Sequence, residues 1–492
     1  MTATVALEAS ATDRARAAGR AEAAAVGALA LAAVLAWALS RSYPNYDAYF
    51  HLDWGRQLLR GHAPSFTAYA APTEHPLYVA VAALCSLPGR FGERVLVLLT
   101  MLSWVALVWG TFRLGRFAFG WAPGLAAALI LASSFAFLLD AVKAFVDMPF
   151  VTLVVWAGVL AAAPGPPRRV AVLVLVGLAG LLRPEAWLLA LLWWAWSTRG
   201  APARERLALA ALALAAPALW ALVDLAVTGD PLYSVHSTSA LAGALGRISP
   251  PVELPGKLVR FLSSAVRPPV AALSVVGALL AWRRLGPRRI AVPLVLLTTG
   301  VLAFFGLGLI GQPVQPRYLT VPAAALCLFA GYALFGWVGL AREDGARRRW
   351  SRLAAVGVVV GVAFLVLAIP KLGRFLGEVR FVRDSHDQLL SLVTDPAVGA
   401  ARPCGPITFP TYRLVPDTRW LLDVPDRDAV ARSDPARRAG GPVVIVSGRK
   451  AVERFGLAAG VDPSTNIHPR GSRAVARAGP LSAYVRGCRY AR

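Results

Sequence analysis

The chain has 492 residues, 57% of them hydrophobic and only 16% charged, and carries a net charge of +24. Soluble proteins average about 45–50% apolar and about 25% charged residues, so a soluble fold of this size could not hide so much apolar surface. Four cysteines and the lack of a short repeat exclude disulfide-scaffold and fibrous classes. The basic excess does not point to nucleic acid either. Its arginines gather in short loops between apolar runs, where they set topology and touch anionic membrane lipid.

In chain order, apolar segments occupy 22–39, 95–112, 122–139, 148–163, 170–182, 186–196, 207–228, 268–282, 290–309, 319–338 and 353–370. A helical span takes about 20 mostly apolar residues. These segments therefore predict an all-α polytopic membrane domain over 1–370, with about eleven transmembrane helices. The short piece 77–88 reads as non-spanning, and 170–196 as a hairpin broken at Arg183-Pro184-Glu185. Arg14, Arg16 and Arg20 then share the cytoplasmic side with Arg113, Arg116, Arg168, Arg169, Arg199, Arg204 and Arg206. The arginines of 283–289 and 342–352 fall there too. Making 77–88 a span, or 170–196 a single one, sends most of these outside, against the positive-inside tendency. The first apolar run has no convincing small-residue cleavage site and reads as a retained anchor.

The outside face then receives a long first loop (41–94), the 140–147 turn, 183–185, the 229–267 loop, 311–318 and the tail, 371–492. The tail holds a β-like run, Pro442–Val446, and turn signals at Pro406, Pro410, Pro416-Asp417 and Pro425-Asp426. It reads as a small extracytoplasmic α/β domain. Cys404 and Cys488 both lie in it, and an oxidising compartment favours their pairing. Cys85 and Cys327 fall in apolar segments and read as packing residues.

Several charged groups stand where the outside loops meet the bilayer. Asp47 follows the first span closely, in Tyr43-Pro44-Asn45-Tyr46-Asp47. Tyr49, Leu52, Leu58 and Leu59 have helical spacing, with Asp53, Arg56 and Arg60 between them, which predicts an amphipathic helix lying on the bilayer. Asp47 reads either as the N-cap of that helix or as a carboxylate offered at the membrane surface. The loop closes at Glu74-His75-Pro76-Leu77, a carboxylate and an imidazole at the re-entry point. Asp140, Lys143 and Asp147 lie in the second outside turn, and on a continuous helix they would share one face. They are either a self-neutralising cap or functional groups at the bilayer edge; Asp147-Met148-Pro149 also matches a helix start. Arg183 interrupts apolar sequence and needs an anion, which Glu185 can supply, or a water-filled cavity. Gly229-Asp230-Pro231, with His236 beyond, is a turn signal. Arg317-Tyr318 stands at a span entrance, as an interfacial anchor or a phosphate or sugar contact. Carboxylates and cations collected on one side suit chemistry on a lipid-borne phosphate, with a carboxylate taking a hydroxyl proton and cations stabilising the departing phosphate.

Asp47 after the first span, a first loop ending in His75-Pro76-Leu77, the acidic turn Asp140–Asp147, Arg183-Pro184-Glu185-Ala186-Trp187 and Arg317-Tyr318-Leu319 together resemble the GT-C superfamily of polytopic glycosyltransferases. That superfamily includes protein O-mannosyltransferases, lipid A aminoarabinose transferases and the actinobacterial arabinosyl- and mannosyltransferases. The resemblance covers roughly 20–340, and the tail looks like the variable soluble domain of many members. It implies an inverting transferase in the plasma membrane, N-terminus cytoplasmic, that moves a sugar from a polyprenyl-phosphate donor to a hydroxyl of a glycan, lipid or protein acceptor for envelope biogenesis. It implies Asp47 as catalytic base and Asp147, or else Asp140, as the second acid, with a divalent cation at that second acid in some members and none in others. Lys143, Arg183, Arg317 and Tyr318 would hold the donor phosphate; Glu74, His75, Asp53 and His236 would line the substrate. Competing readings are a transporter or lipid flippase, a polyprenyl-linked ligase or polymerase, and a non-catalytic GT-C-like assembly partner. The sugar and the acceptor are not written in the sequence, and the tail is a candidate for acceptor selection.

Overall fold

A computed structural model of the chain describes residues 2–434, 436, 440–457 and 463–487. In order, the helices are α1 (Thr2–Ser40), α2 (Tyr46–Leu59), α3 (Pro76–Ser86), α4 (Gly92–Phe119), α5 (Trp121–Ala132), α6 (Phe135–Val142), α7 (Asp147–Ala162), α8 (Arg169–Gly180), α9 (Ala186–Ser197) and α10 (Ala203–Thr228). There follow α11 (Tyr233–Ala244), α12 (Leu254–Val266), α13 (Pro268–Leu285), α14 (Pro287–Leu309), α15 (Thr320–Phe335), α16 (Gly345–Leu367), α17 (Ile369–Val393) and α18 (Pro396–Ala401). The tail adds β1 (Ile407–Phe409), α19 (Val415–Leu422), β2 (Ala429–Ala431), β3 (Val443–Val446), α20 (Arg449–Arg454), β4 (Arg473–Ala478) and β5 (Leu481–Val485).

Each of the expected apolar segments is helical. Among the described residues, α1 from Arg16, α4, α10, α14, α15 together with the turns that flank it (Pro316–Gly339) and α16 are long and apolar enough to cross a bilayer singly, and two bent pairs bring the number to as many as eight. The α5–α6 pair turns by 60° at Ser133-Ser134, and the α12–α13 pair by 101° at Arg267. Arg267 has φ 69°, and the Pro268-Pro269 that follows starts α13 afresh, because proline donates no amide and suits a first helical turn. α7, α8 and α9 are apolar but shorter, at 16, 12 and 12 residues. α3 has 11 residues, which at about 1.5 Å each is near half of a ~30 Å hydrocarbon core.

α1 and α4 run antiparallel. Glu22 of α1 pairs with Arg113 at 3.1 Å and Arg116 at 3.2 Å, and Trp37 donates to the Arg94 carbonyl at the other end. Arg113 and Arg116 therefore lie at the end of the molecule that also carries Arg16 and Arg20. α15 is buried over nearly its whole length between α5, α13 and α14. Gly277 makes that packing close: a Cβ there would stand 1.9 Å from the Phe329 carbonyl oxygen, the small-residue contact that apolar helices use inside a bilayer.

The expectation of an amphipathic α2 lying on lipid is corrected. Residues 48–55 of α2 are all buried, and Gly55 crosses α3 so closely that a Cβ would stand 2.4 Å from the Ala83 nitrogen. The polar side of α2 faces the tail instead. Arg56 lies over the Trp420 ring at 4.4 Å and donates to the Trp420 and Arg419 carbonyls, both at 3.1 Å. Arg56 and Arg60 both pair with Asp423, at 3.1 and 2.6 Å.

The tail sheet has the order β2-β1-β3-β5-β4, parallel on its β2-β1-β3 side and antiparallel on its β3-β5-β4 side. The run expected to be a strand, Pro442–Val446, supplies β3. Glu93, at the start of α4, accepts from Tyr49 of α2 at 2.8 Å and meets His386 of α17 at 3.2 Å, tying tail to membrane helices. Cys85 and Cys327 are free and buried. Cys404 is disulfide-bonded; Cys488, its expected partner, lies outside the described residues.

Candidate active site

The turn between α6 and α7 is stitched to the start of α2. The Asn45 amide and side-chain nitrogens both donate to the Lys143 carbonyl at 2.8 Å, Ser42 donates to the Val142 carbonyl at 2.5 Å, and Tyr78 to the Ala144 carbonyl at 2.7 Å. Asn45, not Asp47, caps α2: its side chain accepts from the amides of Asp47 (2.8 Å) and Ala48 (3.2 Å). Asp47 is the second residue of the helix, in its first turn, and its carboxylate is left for other partners. Asp140 and Asp147 do not share a helix face, because α6 ends at Val142 and Ala144 turns through φ 54° before α7 begins.

Asp47 and Asp147 converge on one guanidinium. Arg317 Nη1 lies 2.9 Å from Asp47 Oδ2 and 4.0 Å from Asp147 Oδ2. Asp147 is fully buried, and its other oxygen pairs with Arg183 Nη1. Arg183 also meets Glu185, through Nη2 at 2.5 Å and Nε at 3.2 and 3.3 Å. Its guanidinium lies 4.1 Å from the Tyr318 ring centroid. The result is a chain of alternating charge, Asp47–Arg317–Asp147–Arg183–Glu185. Arg183 pairs with Glu185, as its position in the sequence allows, and also with Asp147, a partner that the sequence reading did not name. Asp140, on α6, stands outside this chain of ion pairs. Lys143 is drawn off to the tail, where its ammonium is 3.0 Å from Glu378 on α17, a carboxylate shared with Arg454.

Glu74 belongs to a second cluster. It accepts from the Ser234 hydroxyl at 2.8 Å; Ser234 also bonds Asp224 at 2.6 Å and receives the Trp220 indole N–H, again at 2.6 Å. Burial, with the Asp224 carboxyl beside it, pushes Glu74 well above the usual carboxylate range. His51 and His75 stack at 5.3 Å, and burial lowers both, His51 to about 4, so they form a neutral aromatic shelf. Asp53 is taken by Arg56 at 2.7 Å, on the tail side of α2. His236 is exposed and pairs with Asp230 at 2.6 Å, on the turn expected there.

A cavity of about 790 Å³ joins these groups. Asp47, His75, Lys143, Arg183, Arg317 and Tyr318 line it; Asp53, Glu74, Asp140, Asp147 and His236 do not. One stretch of wall is apolar, with Leu241, Leu245, Leu307 and Ile310. Another comes from the tail, with Phe381, His386, Tyr412, Arg413, Asp417 and Arg454. Sequence reasoning assigned none of these tail residues, having treated the tail as separate. Asp224 and Trp220 were also unassigned, although a carboxylate near the end of an apolar run is a signal for them.

The divalent cation that the resemblance leaves open does not fit these residues. A dication between Asp47 and Asp147 would face two guanidiniums already paired to them, and among the described residues no group of three His, Cys, Asp or Glu side chains is arranged to hold a metal ion.

No family model matches the chain, and no curated protein matches it. Solved structures do. The Archaeoglobus fulgidus oligosaccharyltransferase tethered to an acceptor peptide containing the NVT sequon aligns with a TM-score of 0.50 at 12% identity, over 83% of this chain and 64% of that one. The apo form of the Archaeoglobus fulgidus enzyme aligns at 0.49 and 13%, over 84% and 64%. The chain thus spans about 64% of the oligosaccharyltransferase's length. At this identity the likeness is one of fold alone.

Proposed function

We propose that this protein is an inverting glycosyltransferase of the outer face of the plasma membrane, moving a sugar from a polyprenyl-phosphate donor to an acceptor hydroxyl. The observation that carries the reading is the meeting of Asp47 and Asp147 on Arg317 at the wall of a cavity with both an apolar side and a tail-built side. The fold likeness to an oligosaccharyltransferase supports it. The apolar wall suits an isoprenoid chain. Arginine-rich loops at the opposite end of the molecule and a disulfide at Cys404 support a cytoplasmic N-terminus and an extracytoplasmic tail.

The step is a single displacement. The acceptor oxygen attacks the anomeric carbon as the bond from that carbon to the phosphate oxygen breaks, and the electron pair leaves with polyprenyl phosphate. Asp47 takes the hydroxyl proton. Arg317 holds Asp47 in the resting state and occupies the carboxylate oxygen that would receive the proton. A donor phosphate competes for that guanidinium. Once Arg317 turns to phosphate, the Asp47 carboxylate is released to the acceptor hydroxyl and the departing charge gains a partner. Arg183, fixed by Asp147 and Glu185, holds Tyr318 and adds positive potential at the same wall. No step passes through a metal ion.

The test is Asp47→Asn in purified full-length protein supplied with radiolabelled polyprenyl-phosphate sugars and envelope extract. Transfer falls by about 10²–10⁴-fold, the usual contribution of a general base. The Asp47–Arg317 pair is partly exposed, at 27% and 21%, so the fold loses only roughly 0–1 kcal/mol. Unchanged transfer refutes the assignment of Asp47, and lipid or solute movement with no glycosidic bond formed refutes the enzyme.

A further inference from the structure

The cavity is electrically lopsided. At the end made by α2, α7 and the 183–185 turn, every guanidinium has a carboxylate partner. At the tail end, Lys143 and Arg454 share one carboxylate, Glu378. Arg247 and Arg413 have no carboxylate partner among the described residues. Arg247 meets the Tyr412 hydroxyl at 3.3 Å, and Arg413 donates to the Arg454 carbonyl at 3.0 Å. All four cations line the cavity. Among the described residues, the one other acid that lines this end is Asp417, whose carboxyl burial pushes up to about 7.

Aromatic faces stand among these cations. Tyr412 packs edge-on to Tyr46 at 5.4 Å, and Phe381 meets Phe455 at 6.1 Å with the Arg454 guanidinium over its ring at 5.0 Å. Flat apolar faces beside forked N–H donors are the chemistry that holds a sugar ring bearing a carboxylate or phosphate. A neutral acceptor would leave two guanidiniums without a counter-charge. The donor phosphate has its own cation at Arg317, so it does not account for this second group.

Resting on the proposed transferase reading, we infer that the tail end of the cavity, built on Arg247, Arg413 and Arg454, is an acceptor subsite for an anionic glycan. The tail selects the acceptor by charge, and the acceptor hydroxyl reaches Asp47 from this side.

The experiment measures binding of glycans to the full-length protein in nanodiscs by tryptophan fluorescence. The probes are an oligogalacturonate, neutral maltopentaose and singly phosphorylated maltopentaose, matched in length. The charged glycans bind at least about tenfold more tightly than the neutral one, added salt narrows the gap, and R247Q/R413Q/R454Q closes it. The carboxylated and phosphorylated arms tell which anion is preferred. Equal binding of charged and neutral glycans, no binding of either, or a gap that survives the triple variant overturns the inference. Asp47→Asn separates it from the catalytic reading, because that variant keeps the preference for charge. Preference kept while wild-type transfer is absent overturns the transferase alone; transfer present without preference overturns the subsite alone.

Discussion

Arg183→Met isolates what the buried charge chain contributes to the fold. The Asp147 side chain is 0% exposed and that of Arg183 7%. With Arg183 gone, the nearest cation to Asp147 is Arg317 at 4.0 Å, already held by Asp47 at 2.9 Å. Glu185, 12% exposed, loses its partner as well. Removing one member of a buried ion pair costs about 3–5 kcal/mol, because the charge left behind is neither solvated nor compensated. Asp147→Asn is milder, since Arg183 keeps Glu185 and the amide fills the same space; a broken buried hydrogen bond costs about 1–3 kcal/mol. The double variant Arg183→Met/Asp147→Asn removes both charges of the closest pair, so its loss falls short of the two single losses combined by about 0.5–3 kcal/mol. Equilibrium unfolding by SDS titration in mixed micelles, followed by tryptophan fluorescence, gives all three values. A loss below about 1 kcal/mol for Arg183→Met, within the range of an exposed pair, or strict additivity in the double variant, refutes the chain as a buried unit.

Asp417 should make stability depend on pH. Its carboxyl is at about 7 in the fold against 3.8 ordinarily, so between those values the folded protein holds a proton the unfolded chain has lost, and stability falls as pH rises through the window. Asp417→Asn flattens that part of the slope and only trims the part due to His386, which Glu93 raises most and Asp417 in smaller measure; an unchanged slope contradicts the burial argument. Gly277→Ala places a methyl against the Phe329 carbonyl and costs about 1–3 kcal/mol by overpacking, read in the same SDS titration, while wild-type stability in the variant would show that α13 and α15 part easily. Chelation by EDTA leaves sugar transfer unchanged, whereas a loss that magnesium or manganese restores would place a metal where Arg317 now bridges two acids.

The main lines of the fold were legible because hydropathy records which residues can face lipid, and each apolar run became a helix. Part of the site was legible for a related reason. Charges at the edge of apolar runs are costly, so Asp47, Asp147, Arg183 and Arg317 stood out before any geometry was known, and they proved to be neighbours. What did not show was partnership at long range. Asp53, Arg56 and Arg60 gave α2 the spacing of a bilayer-surface helix, but Arg56 and Arg60 find their partners 363 and 364 residues later. A polar face reads the same whether it meets headgroups or the carbonyls of α19. Asn45 and Asp47 are likewise both good caps by type, and only the bonds of Asn45 to the Lys143 carbonyl decide between them.

The burial of the two arginines assigns them different work on the proposed reading. Arg183 is 7% exposed and held by two carboxylates, one of them fully buried. Pulling it toward a phosphate would strand Asp147 at the cost worked out above. Arg317 is 21% exposed, and its nearest partner, Asp47, is 27% exposed, so water can solvate both as they part. A phosphate entering the cavity therefore takes Arg317 and leaves Arg183 in place. That exchange links donor binding to release of the base: Asp47 becomes competent only once the phosphate it will help displace is bound, which disfavours proton abstraction in an empty site. Arg317→Lys keeps the charge but loses the fork that reaches Asp47 and a phosphate in turn, and it should lower transfer more than it lowers donor binding.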